Sequence, residues 1–196
     1  MEMKNRYPFS RAINMKKIEL HPTIFLVEDF LSQEECDAHI AFSKTQEFEE
    51  AKINSGGAQV MNKGVRNNDR ILFFKNELAE TLWQRVKQYV PEEMGLFTGY
   101  GLNEMFRIYR YTKGQRFKMH RDGSYKRNDK DCSFFSLIIY LNDDFEGGET
   151  EFRKLFTVTP KKGTALLFHH PHRHEGKELL EGVKYVLRTD VMYKIT

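Results

Sequence analysis

Two cysteines in 196 residues, Cys36 and Cys132, are too few for a disulfide framework and wrongly spaced for a zinc ribbon. They read instead as small, partly buried thiols in a reducing compartment. No apolar run approaches the length of a bilayer-spanning helix. The segment Met1–Lys17 is basic but has no apolar stretch of the kind that directs secretion. A cytoplasmic protein with no membrane partner is the expectation. There is no internal repeat, no low-complexity tract and no Pro/Gly/Ser-rich linker, which leaves one domain over residues 21–196 behind a lead-in at 1–20. Charge of one sign is also scarce. Thirty-one Lys and Arg face 28 Asp and Glu, a net +3, short of the dense basic patch that nucleic-acid partners call for. Nothing in the sequence sets an oligomeric state.

What is present is an ordinary soluble composition, 40% hydrophobic and 30% charged, with 16 Phe and 9 Tyr. Aromatics fit a pleated, half-buried surface and lean toward a β-rich core. Ile24–Val27 is a short apolar strand. Ser32 with Glu35 three residues on is a capping box that opens a helix through about Ser43. A second helix is expected over Glu77–Tyr89, with Asn76 as N-cap, Pro91 past its end, and Leu78, Leu82, Val86 and Tyr89 on one face. From Phe106 the pattern changes to short strands. Phe106–Tyr111 and Arg116–Met119 flank a turn at Gly114. Phe134–Leu141 is a strongly apolar strand, a Gly147-Gly148 turn precedes Glu149–Phe152, and Pro160–Gly163 joins Phe156–Thr159 to Thr164–Phe168. Tyr185–Tyr193 is the last strand. The fold class is α+β, mainly β, with N-terminal helices supporting a barrel or sandwich. Residues 123–131 and 169–177 read as polar loops at the strand ends.

Chemistry concentrates in two places. His120 and Asp122 are two residues apart at a strand or its frayed end, so their side chains point the same way and can reach one cation. A surface His beside a solvated Asp is the bland alternative, and the pair taken alone favours it. The third ligand has to come from far away, and residues 169–174 offer His169, His170, His172 and His174. An exposed polar loop explains that density equally well. His174 is the preferred candidate because Gly176 allows close backbone approach and Lys184 lies ten positions on. Two imidazoles and a carboxylate make the facial set that holds Fe(II) and leaves open positions. A buried Lys184 would need a counter-charge, which a dicarboxylate co-substrate supplies; a surface strand lysine is its plain reading. Arg188 and Asp190 can equally be a structural ion pair.

Several longer stretches accompany these residues in order: Tyr111 through His120-Arg-Asp122, Ile139-Tyr140-Leu141-Asn142, Gly147-Gly-Glu-Thr150-Glu-Phe152, His174-Glu-Gly176, and Gly182-Val-Lys184 through Tyr193. Taken together, the region Phe106–Tyr193 resembles the prolyl-4-hydroxylase-like 2-oxoglutarate/Fe(II) dioxygenases. Val65–Arg70 and the helix after it resemble that family's N-terminal support. The resemblance implies a double-stranded β-helix (jelly-roll, cupin-like) core at about residues 105–194. It implies iron ligands His120, Asp122 and His174. It also implies that Lys184 pairs with the distal carboxylate of 2-oxoglutarate, Tyr140 helps hold that carboxylate, and Tyr111 lies near the metal. Thr150 is a candidate pocket residue. Many relatives have Arg where this chain has Lys184, a point charge rather than a fork, and Arg188 is the other candidate for the carboxylate.

The activity implied is hydroxylation of an unactivated C–H bond with Fe(II), 2-oxoglutarate and O2, releasing succinate and CO2; whether ascorbate is also required is not set by the sequence. A prolyl residue of a peptide or protein is the expected substrate. A free amino acid or small metabolite is the alternative on the same scaffold, followed by nucleic-acid demethylation and a non-catalytic metal-binding module. The arrangement Lys184-x-x-x-Arg188 is unlike the paired arginines expected for nucleic-acid chemistry. Arg66 and Arg70, in the polar segment 56–70, are candidates for a lid that meets an acidic or peptide substrate; a solvated loop with structural arginines is the alternative.

Overall fold

The computed structural model describes residues 14–55 and 58–195. Most of the expected lead-in, residues 1–13, lies outside these, as do Gly56 and Gly57 of the expected lid. The remainder of the lead-in is structured: Lys16–His21 (β1) pairs antiparallel with Ile24–Glu28 (β2).

Gln33–Lys44 forms α1, and its capping box is complete. The Ser32 hydroxyl accepts from the Glu35 amide, and the Glu35 carboxylate accepts from the Ser32 amide. The same carboxylate takes a two-pronged ion pair from Arg85 at 2.7 and 2.9 Å. Arg85 belongs to α2, Asn76–Val86, so the cap of one helix also fastens it to the other. Two details of α2 differ from expectation. Its N-cap is Lys75, with no side-chain cap, and Asn76 is already helical. It stops three residues early, because Lys87–Tyr89 tighten into a turn with the Tyr89 amide on the Val86 carbonyl. The buried face is as expected, with Leu78, Leu82 and Val86 almost fully covered.

Eight strands make the core: Met105–Thr112 (β5), Phe117–His120 (β6), Asp131–Tyr140 (β7), Thr150–Phe152 (β8), Phe156–Val158 (β9), Ala165–His169 (β10), His174–Gly176 (β11) and Val183–Ile195 (β12). Between α1 and β5 the chain adds Asp69–Phe74 (β3) and Phe97–Leu102 (β4). The large sheet runs β1-β2-β10-β7-β12-β5-β3, with β4 also on β12, while the small sheet runs β6-β11-β8-β9. Apart from the β8–β9 hairpin, the core chain thus alternates between two antiparallel sheets, which is the double-stranded β-helix expected. Strand β11 corrects the expectation of an unstructured polar loop over 169–177. It pairs with β6 on one side and β8 on the other. The 123–131 loop likewise contains Lys126–Asn128, paired with the start of β7.

Period-2 alternation divides the large sheet's side chains between two cores. Phe106, Ile108, Phe135, Leu137, Ile139, Ala165, Leu167 and Leu187 pack with the helices. Their neighbours Tyr109, Tyr111, Tyr140, Leu166, Phe168 and Val186 pack with Phe152 and Val158 of the small sheet. This second, inter-sheet face is where the chemistry lies.

Candidate active site and metal centre

His120 ends β6 and His174 begins β11, and the two occupy opposed positions in that antiparallel pair. Direct opposition brings side chains on one face close, and here the ring centroids are 4.3 Å apart. Asp122 lies two residues beyond the end of β6. Its carboxylate is 3.5 Å from His120 Nε2 and 3.8 Å from His174 Nε2. The three donor atoms all fall within 4.8 Å of one another.

Hydrogen bonding prepares these groups for a cation. His120 Nδ1 donates to the Lys118 carbonyl at 2.8 Å, and His174 Nδ1 donates to the His172 carbonyl at 3.0 Å. A carbonyl accepts only, so each ring carries a proton on Nδ1 and turns Nε2, the nitrogen left to bind a cation, toward Asp122. Such outer bonds fix the tautomer and aim of metal-ligating histidines. Phe117 stacks on His120 at 3.5 Å, and Phe168 packs on His174 at 4.4 Å. Burial pushes the His174 imidazole down to about 4, which keeps it neutral. Burial would raise the Asp122 carboxyl, but the Arg188 guanidinium at 3.1 Å more than offsets it and holds the group well below the usual carboxylate range. Two imidazole nitrogens and one anionic oxygen, converging from a half-buried pocket, fit Fe(II).

A cavity of about 60 Å³ opens from the three ligands and is lined by Tyr111, Thr150, Lys184, Arg66 and Arg188 among others. Lys184 lies at its closed end, 4% exposed. Its Nζ donates to the Gly148 carbonyl and sits 5.4 and 5.5 Å from the Tyr111 and Tyr140 rings. No carboxylate pairs with it among the described residues. Burial pushes its ammonium down to about 8, with Glu149 acting weakly the other way. Gly148 has φ +66°, and a Cβ there would come within 3.0 Å of Leu179 and 3.3 Å of the Lys184 stem. The Tyr140 and Thr150 hydroxyls share a hydrogen bond of 2.8 Å.

Arg188 is separate from that end. It bridges Asp122 and Asp190, at 3.1 and 3.3 Å, so it is an ion-pair residue beside the metal ligands. Arg66 borders the same cavity and an outer cleft of about 680 Å³. Arg70 lines only the outer cleft and pairs with Glu49 at 2.7 Å. The other loop histidines point elsewhere. His170 bonds Ser133 and Ser136, His172 bonds Thr23, and His169 packs on Phe134 and Phe135.

Sequence reasoning missed Ser136, whose hydroxyl donates to Asp122 at 2.5 Å. It also passed over Tyr109, Ile138 and Val186, which line the cavity. A signal existed, since Tyr109 is two before Tyr111, and Ser136 and Ile138 share Tyr140's face at period 2.

Comparison with known proteins agrees with this geometry. Residues 106–189 match the family model described as the 2OG-Fe(II) oxygenase superfamily. The chain is 24% identical over 189 residues to Probable prolyl 4-hydroxylase 7 of Arabidopsis thaliana, covering 82% of this chain and spanning 57% of that relative's length. Among solved structures, the viral collagen prolyl hydroxylase of Paramecium Bursaria Chlorella virus-1, in its 2OG complex, superposes with a TM-score of 0.62. It is 20% identical, over 89% of this chain and 97% of that one. The Trichoplax adhaerens prolyl hydroxylase, in complex with a hypoxia inducible factor peptide fragment, gives a TM-score of 0.66. Its identity is 15%, over 86% and 83% of the two chains.

Proposed function

We propose, for a chain whose residues 106–189 match the model of the 2OG-Fe(II) oxygenase superfamily, that the protein is a 2-oxoglutarate- and Fe(II)-dependent dioxygenase that hydroxylates a prolyl residue of a peptide or protein. The observation that carries the reading is the convergence of His120, Asp122 and His174 on a cavity that is also lined by a buried lysine with no carboxylate partner among the described residues. The prolyl substrate rests on the kinship with prolyl 4-hydroxylases.

His120, Asp122 and His174 hold the iron. Lys184 takes the distal carboxylate of 2-oxoglutarate. That ligand replaces the counter-charge the lysine lacks, so co-substrate binding relieves a desolvation cost already present in the free protein. Thr150 and Tyr111 line the same cavity, and Tyr140, which is not among its lining residues, stands behind Thr150 with the two hydroxyls bonded. When bound, iron, 2-oxoglutarate and O2 supply an oxidant for an unactivated C–H bond, with succinate and CO2 as co-products. The chain's own work is to aim the ligands, keep Asp122 ionised through Arg188 and Ser136, and shield the site with Phe117 and Phe168.

Anaerobic addition of Fe(II) and 2-oxoglutarate is expected to give a weak visible charge-transfer band, and prolyl peptides are expected to stimulate succinate release. Asp122→Ala abolishes both. A wild-type protein with no band, or an Asp122→Ala variant with full turnover, contradicts the assignment.

A further inference from the structure

The outer cleft is lined by six cations, Lys52, Arg66, Arg70, Arg107, Arg121 and Arg188, against two carboxylates, Asp122 and Asp190. Both carboxylates are engaged, Asp122 by Arg188 and Asp190 by Arg107 and Arg188. Arg66 differs from the rest. It is 4% exposed and borders both the cleft and the cavity at the metal ligands. Its guanidinium is clamped between the Tyr109 and Phe117 rings, 4.3 Å from each centroid. One nitrogen, Nε, donates to Asn68 Oδ1 at 2.8 Å. Its Nη2 is buried without a hydrogen-bond partner of good geometry, and although the Tyr109 and Tyr111 hydroxyls lie beside the guanidinium, no carboxylate within ion-pairing distance is found for Arg66 among the described residues. A buried guanidinium without a counter-ion is costly unless a ligand supplies one. Held flat between two rings and steadied by Asn68, it is preorganised to receive a planar carboxylate.

We infer that Arg66 is a receptor for a carboxylate on the substrate, so the molecule hydroxylated here carries an anionic group close to the reacting carbon. This rests on the proposed hydroxylase reading and narrows it. The carboxylate has two sources, the α-carboxylate of a free amino acid or terminal residue, and an acidic side chain flanking the prolyl residue of a peptide. The cleft's volume suits a ligand of either kind.

The test uses the full chain loaded anaerobically with Fe(II) and 2-oxoglutarate, on which the charge-transfer band is recorded first. Absence of that band is failure of the hydroxylase reading itself, and it is scored separately from substrate binding. Binding is then measured calorimetrically for two matched pairs. One pair is L-proline and L-prolinamide. The other is an end-capped Gly-Glu-Pro-Ala-Gly peptide and its Gln counterpart. We expect the carboxylate member of at least one pair to bind about tenfold or more tightly than its amide partner. Arg66→Gln should bring that ratio near one, and Arg66→Lys should keep part of it, with the band intact in both variants. Which pair discriminates identifies the source. Equal binding within both pairs, no binding by either carboxylate probe, or discrimination that survives Arg66→Gln overturns the inference. A variant that changes only the 2-oxoglutarate requirement also overturns it, because Arg66 then serves the co-substrate.

Discussion

Lys184 and Arg188 sit four positions apart on the same strand face, yet they do different work. Arg188 is held between two carboxylates, whereas Lys184 is buried with its ammonium on a carbonyl, near two aromatic rings and in no ion pair among the described residues. Lys184→Ala is therefore expected to raise the 2-oxoglutarate concentration needed for half-saturation by about 10- to 100-fold, the scale of a charged hydrogen bond, and to leave iron affinity nearly unchanged. The pH dependence comes from the same burial. Carboxylate binding requires the ammonium form, and that form is lost as pH rises through about 8. Affinity for 2-oxoglutarate is then level below pH 8 and falls about tenfold per unit above it. Titration of co-substrate binding from pH 7 to 9.5 checks this, and Lys184→Arg should flatten the upper limb because a guanidinium stays charged. An unchanged half-saturation in Lys184→Ala would move the role elsewhere. Which of the two cations faces the co-substrate was open in the sequence. Both fit the spacing, and only the positions of Asp122 and Asp190 separate them.

The turns and the cap of α1 were legible because their signals are local, whereas the cap expected at Asn76 was not, since Lys75 precedes α2 with no side-chain cap. The Ser32/Glu35 capping box and the Pro160–Gly163 turn depend on residues within one or two turns of chain. Gly163 shows how such a turn also serves the tertiary fold. It has φ +81°, and a Cβ there would lie 2.4 Å from the Leu31 carbonyl, in the segment leading into α1. The backbone of Leu31 and Gly163 is joined at 3.0 Å in the same place. Gly163→Ala should destabilise the protein by about 1–3 kcal/mol through left-handed strain, and by more if the Leu31 contact cannot relax. Urea denaturation reads this; an unchanged midpoint would contradict the contact. Strand β11 was not legible, because three residues, His-Glu-Gly, carry no periodicity of their own. It is a strand only because β6 and β8 flank it.

Across the molecule, the two sheets form one clamp around the site. Phe168 of the large sheet and Phe152 of the small sheet meet edge-on at 5.3 Å, and both pack on His174. Phe168→Ala should cost about 3–5 kcal/mol of stability. It should also loosen the aim of His174, lowering iron retention on dialysis beyond what an equally destabilising change in the helical core produces. Leu82→Ala in α2, expected to cost about 2–5 kcal/mol, is that comparison and should retain iron normally. Equal iron loss in both variants would leave stability as the sole cause. The amino-acid order specified the alternation of apolar and polar residues, the helix cap and turns, and the residue types able to hold a ferrous ion, because these depend only on spacing along one chain. Register and burial lay beyond it. The opposition of His120 to His174, the release of His169, His170 and His172 to other partners, and the clamping of Arg66 between two rings arise from sheet closure. That closure brings together segments more than thirty residues apart, and their joint exclusion of water sets which charges are paired and which await a ligand.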